Sequence, residues 1–167
     1  MREPDTPDDV PPSTSRLISI KLDEGSIKRS NANVDHEREV AIYDILDGNS
    51  FALDGYDSGP YTLMIGVQDD KLVLTVGSEG TDGSAVHMLA MSPFRRVIKD
   101  YFVVCDTYYQ AIRTAPPSRI QAVDMGRRAL HDEGSRILTE RLQGKITLDH
   151  DTARRLFTLI CELHWKG

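Results

Sequence analysis

The chain has 167 residues, 28% of them charged, and a formal net charge of −6. That length supports one hydrophobic core, because chains of this size bury about two-thirds of their unfolded surface. No apolar run approaches the ~18 residues of a membrane span, and the acidic start lacks the apolar centre of a signal peptide, so a cytoplasmic protein without membrane contact is expected.

Residues 1–15 hold four prolines and four acids with almost nothing to bury, and are expected to be a disordered tail preceding a single domain over 16–167. Arg16–Asp23 alternates Ile18, Ile20 and Leu22 and reads as a strand. Ser30–Asp47 reads as a helix with Val34, Ala41, Ile42, Ile45 and Leu46 inward, closed by Gly48. A loop rich in Gly, Asp and Ser then runs to Pro60. Tyr61–Gln68 and Lys71–Val76 flank Asp69-Asp70, a hairpin signal, and Ala85–Met91 supplies a third meander strand. The expected first half is a small antiparallel sheet in the order β-α-β-β-β.

Three helices follow, giving an α+β fold with the sheet packed on a C-terminal helical layer. Ser92–Thr114 has a very broad apolar arc running from Phe94 through Tyr101 and Tyr109 to Ile112, wide enough for two neighbours at once. Ser92 suits a cap and Pro93 a first helical position, and Ala115-Pro116-Pro117 ends the segment. It is expected to be the central helix. The next helix, Arg119–Gln143, has Ser118 and Gln121 as a capping box and Gly144 as its stop. Its apolar face includes Arg127, His131 and Arg141, each of which needs a partner or a route to the rim. Gly126 and Gly134 each cost about 1 kcal/mol in a helix interior, which implies close packing of another element. The last helix, His150–Lys166, is capped by Asp149 and buries Ala153, Leu156, Phe157, Ile160, Leu163 and His164, with Arg154, Thr158 and Trp165 on a second side. Cys105 and Cys161 both lie on apolar helical faces and read as buried thiols, with no metal-ligand spacing.

Charge divides unevenly along the chain. Residues 1–91 carry 7 basic and 17 acidic side chains, a net of −10, and residues 92–167 carry 13 and 9, a net of +4. The plain explanation is complementarity between two packed layers; the sharper one is a basic surface for an acidic partner. A net of +4 is far from a strong nucleic-acid footprint, which ranks nucleic acid behind an acidic protein or ligand as the expected partner.

Four blocks, Asp35–Leu46, Ser92–Arg113, Ala122–Ser135 and Asp151–Gly167, together resemble a bacterial family of small conserved proteins with no assigned activity. The resemblance runs from about Arg16 to Gly167, and it implies no catalytic residue, ligand or cofactor.

Chemistry is sparse. There is no phosphate-binding glycine loop, nucleophile motif, zinc spacing or nucleotide fingerprint, so no cofactor or metal is expected. The best polar constellation is Arg127, Arg128, His131, Asp132 and Glu133 on one helix, where Arg127 and His131 stand four apart and could serve one pocket. Their structural explanation is pairing with carboxylates of the acidic half; a buried Arg127 pair would make Arg127→Ala cost about 3–5 kcal/mol. Two function classes follow. The first is a non-enzymatic binding or regulatory protein using its basic helical half, with Arg95, Arg96, Arg127, Arg128, Arg154 and Trp165 as its contact residues. Its partner would be an acidic protein or a second copy of the chain. The second is a small enzyme or ligand-binding domain for an anionic metabolite around Arg127 and His131.

Overall fold

Residues 14–27, 30–55, 59–79 and 83–164 are described by the computed structural model of the chain. Among the described residues, six strands and four α-helices occur in the order β1 (Leu17–Leu22), α1 (Ala32–Asp47), β2 (Phe51–Leu53), β3 (Tyr61–Gln68), β4 (Lys71–Ser78), β5 (Ser84–Ala90), α2 (Arg95–Thr114), α3 (Pro117–Leu142), β6 (Ile146–Leu148) and α4 (His150–Leu163). The fold is α+β, and most of the expected tail lies outside the described residues. Its last part is tied in: the Ser15 carbonyl accepts the Phe51 amide at 3.0 Å.

The main sheet has the order β1-β3-β4-β5. Asp69 and Asp70 both take positive φ, 50° and 63°, the geometry a two-residue hairpin turn demands, and the β3–β4 register continues unbroken from Gln68–Lys71 to Tyr61–Ser78. The β3-β4-β5 meander is antiparallel, as its turns require. β1 instead pairs parallel to β3, so the sheet is mixed rather than wholly antiparallel. The reason is the intervening helix: α1 carries the chain back across the sheet, and a crossover of that length delivers the next strand in the same direction. A bulge between Leu17 and Ser19 also breaks the alternation in β1, leaving Leu17 and Ile20 as its buried residues and Ile18 and Leu22 only partly covered. The loop before Pro60 contains β2, which pairs antiparallel with β6 from the α3–α4 connection, Phe51 opposite Leu148 and Leu53 opposite Ile146. Three-residue strands have too little periodicity to be read from sequence.

Helix ends follow local chemistry only in part. Asn31 and Asp149 are side-chain caps, accepting the amides of Val34 and Thr152 at 2.9 Å each. Ser92 instead lies in a single 3-10 turn before α2, which has no side-chain cap, and the Ser118–Gln121 box does not form, because α3 already starts at Pro117.

One cluster of buried residues runs from Leu17 in β1 to Leu163 in α4. The helix at its centre is α4, not α2. Thr152, Ala153, Leu156, Phe157, Leu159, Ile160, Cys161 and Leu163 are all buried, which covers nearly every side of α4, while α2 buries only Val97, Ile98, Tyr101 and Ala111. α4 lies against both α1 and α3, and α2 packs on α3, with Tyr101 also reaching the Phe157 ring of α4 at 6.2 Å. Gly134 explains one close approach: a Cβ there would sit 2.3 Å from the Phe157 ring of α4. Gly126 has no such neighbour, its nearest non-local contact being Val104 at 3.8 Å from a Cβ.

Candidate functional site

The broad apolar arc of α2 has one flank covered and one flank bare. Val97, Ile98 and Tyr101 are buried, but Val103, Tyr109 and Ile112 remain 59%, 60% and 48% exposed. Beside that bare flank lies a groove of about 1350 Å³, bounded by α2, by Asn33, Val34 and Glu37 of α1, by Val67 and Asp70 of the β3–β4 hairpin, and by Glu162 and His164 at the end of α4. The arc is wide enough for two neighbours, but its outer flank faces this opening instead of a second packed element.

Its wall is aromatic and apolar, with Ile98, Tyr101, Phe102, Val103 and Tyr109, and its polar groups are of both signs: Arg95, Lys99 and Arg127 against Glu37, Asp70, Asp106 and Glu162. The Tyr101 hydroxyl and the Cys105 thiol share a hydrogen bond, and burial raises the pKa of both, keeping both protonated at neutral pH. Cys105 is thus half-buried at the groove rather than sealed in the core, and its thiol is not activated. Cys161 is sealed, and burial pushes its thiol up as well. Glu162 is raised by burial and then by the neighbouring charge of Glu37. Arg38 on α1 lies beneath, 4% exposed, donating from Nε to the Glu162 carbonyl at 3.1 Å.

Arg127 lines the groove, but its guanidinium is committed: Nε donates to Asp124 Oδ1 at 3.2 Å and the head lies over the Tyr108 ring at 4.7 Å. The hydrogen bond from Arg127 holds the Asp124 carboxyl below its usual range. The carboxylate thus comes from Arg127's own helix, not from the acidic half. His131 does not reach the groove. It packs between Tyr101 at 5.1 Å and Phe157 at 6.5 Å, meets Thr158 Oγ1 at 3.2 Å, and burial, with Arg154 and Arg127 nearby, lowers its pKa to about 4. It is a half-buried, neutral ring between α2, α3 and α4.

The remaining candidates are dispersed. Arg95 pairs with Asp70 across to the hairpin. Arg96 pairs with Asp100 at 3.2 Å and with Glu133 of α3 at 2.7 Å. Arg128 joins Asp124 at 3.0 Å, and Arg154 lies 3.5 Å from Asp132. Trp165 lies outside the described residues. The structure therefore brings Arg95 and Arg127 to one groove and leaves Arg96, Arg128, Arg154 and His131 elsewhere. Sequence reasoning missed Glu37 and Glu162, because their proximity depends on α1 docking on α4, for which no local pattern exists. Among the described residues, no group of three His, Cys, Asp or Glu side chains could hold a metal, and no helix is long and apolar enough to cross a membrane.

A family model described as "Uncharacterised protein family (UPF0262)" matches residues 14–166. A UPF0262 protein of Rhodopseudomonas palustris strain HaA2 is 54% identical over 161 residues, 96% of this chain and 97% of the relative. Another from strain ATCC BAA-98 / CGA009, "UPF0262 protein RPA4530", is 55% identical over 163 residues, again 96% and 97%. One from Nitrobacter hamburgensis is 53% identical over 155 residues, 93% of this chain and 94% of the relative. No solved structure matches the chain. With agreement over almost the whole length of both sequences, the chain belongs to the bacterial UPF0262 family.

Proposed function

We propose that the chain is a non-enzymatic cytoplasmic binding protein, and that its recognition surface is the groove along the bare flank of α2. The observation that carries this is the half-covered arc: Val103 and Tyr109 stand exposed in the wall of an opening of about 1350 Å³, larger than the roughly 300–1,000 Å³ of a typical small-molecule pocket. Such a trough suits the apolar face of a partner protein's amphipathic helix. Side chains of both signs on its walls suit a segment carrying a basic residue toward Glu37 and Glu162, whose crowding such a cation would relieve. The protonated Cys105 and Tyr101 and the half-buried, neutral His131 fit recognition better than nucleophilic chemistry.

Capture with tagged protein, reading out bound macromolecules and small molecules together, is the test. Val103→Asp with Tyr109→Asp changes exposed positions only, so the fold should persist while a captured protein is lost. Capture unchanged by that double substitution would overturn the groove as the surface. Arg95→Glu with Arg96→Glu adds a second arm: salt-dependent loss there would place the binding on the basic rim, as an acidic partner requires.

A second reading, an anionic small molecule held at Arg127, is favoured by that residue's position in the groove wall. Phosphate or a dicarboxylate would then raise the melting temperature of the wild type and not of Arg127→Ala. The pairing of Arg127 with Asp124 and the carboxylates opposite argue for the protein partner first.

A further inference from the structure

The two edges of the main sheet are not alike. β1 is guarded in the ways natural sheets avoid edge-to-edge association: it carries a bulge between Leu17 and Ser19 and a lysine, Lys21, on an exposed position. β5, at the opposite edge, has no such device. Its seven residues, SAVHMLA, contain no proline and no charged side chain, and all seven pair in unbroken register with β4, from Gly77–Ser84 to Lys71–Ala90. Its outer face shows Val86 at 57% and Met88 at 46% exposure. Its inner face is also under-covered: where β4 buries Leu72, Leu74 and Val76 fully, β5 buries only Leu89 and leaves Ala85 and His87 half-buried. A straight, uncharged edge with apolar side chains on both faces invites another strand.

We propose that this strand is β5 of a second copy, paired antiparallel about a two-fold axis at His87, so that two four-stranded sheets join into one. The strand's own order points to a copy of itself. About that axis Ala85 faces Leu89 and His87 faces its own copy on the inner side, while Val86 faces Met88 and Ser84 faces Ala90 on the outer side, so the larger apolar side chains meet apolar ones and no Lys, Arg, Asp or Glu is present to repel. Two-fold pairing needs this self-complementarity, because every contact occurs twice. An antiparallel ladder accepts a residue opposite its own copy in either of its alternating pair types. The surface is independent of the groove along α2.

Sedimentation or light scattering on the full chain, over a wide range of concentrations, reads the association directly. The wild type is expected at twice its chain mass of 18.7 kDa. Val86→Lys with Met88→Lys sets like charges opposite each other at both symmetric positions and should yield a folded monomer, judged by an unchanged circular-dichroism spectrum. Val86→Lys with Met88→Glu sets opposite charges there and should restore the dimer, more tightly at low salt. A wild type that is monomeric throughout, a double-lysine variant that stays dimeric, or a lysine–glutamate variant that stays monomeric each overturns the proposal. If the double-lysine variant unfolds, the wild-type mass and the lysine–glutamate variant still decide.

Discussion

Two glycines in α3 look equivalent in the sequence and differ in the structure. At Gly134 a Cβ would meet the ring of Phe157, which is fully buried in α4 and cannot withdraw. Overpacking there costs about 1–3 kcal/mol, more than the ~1 kcal/mol that alanine gains in a helix. Gly134→Ala should therefore lower the melting temperature, and Gly126→Ala, with room around it, should raise stability by about 1 kcal/mol. Thermal melts of both variants check the pair; a rise in both would mean that α3 and α4 are not in contact at Gly134. Arg127 is decided at the same scale. Its side chain is 32% exposed and its carboxylate is one turn away on the same helix, so no buried charge is stranded when it is removed. Arg127→Ala should cost only about 0.5–1 kcal/mol, the loss of its stacking on Tyr108. A loss of several kcal/mol would show that the pair is buried more deeply than its exposure indicates.

For the helices, apolar periodicity reports which faces can be buried, and neighbours decide which are. On α2, Ile98 and Tyr101 are 7% and 6% exposed, so truncation of either to alanine should cost about 2–5 kcal/mol. Lys99→Ala, on the exposed side, should be nearly neutral. Tyr109→Ala should also be close to neutral for stability, although Tyr109 belongs to the same apolar arc. Chemical denaturation of the four variants separates the covered flank from the bare one. A large loss at Tyr109 would place that ring in the core and close the groove.

Charge and pH act on the whole molecule. Among the described residues, the ion pairs of the helical half fall largely inside it: Arg96 with Glu133, Arg128 with Asp124, Arg154 with Asp132. Arg95 with Asp70 crosses to the sheet. The charge asymmetry between the halves is thus only partly a matter of two complementary layers. His131 makes stability depend on pH with a definite sign. Its pKa falls from 6.5 to about 4 on folding, so the unfolded chain binds the extra proton between those values. The stabilisation from keeping the ring neutral is complete above about 6.5 and is lost as pH falls towards 4. Glu162 has the opposite sign, since its raised pKa weakens the fold as pH rises past 4.5. The wild-type profile minus that of His131→Phe isolates the histidine. That difference should shift against the wild type as pH falls from 6.5 to 4, and a difference independent of pH would show that the ring is solvated.

By itself, the sequence determined the α+β class, the β3-β4-β5 meander with its Asp69-Asp70 turn, the Asp149 cap and the ends of the long helices to within a few residues. All of these rest on interactions between residues close in the chain: alternation, helical spacing, turn conformations and caps. The family resemblance was legible for a related reason, since it resides in contiguous blocks. Only the tertiary structure decided that β1 lies parallel to β3, that β2 finds β6, that α4 takes the centre and that α2 keeps one apolar flank bare. Of the candidate site, Arg95 and Arg127 could be named in advance, whereas the carboxylates of Glu37 and Glu162 and the turning of His131 away from the groove, against Tyr101 and Phe157, could not. Burial is a property of what docks on a surface, and docking joins segments far apart in sequence through contacts with no local periodicity.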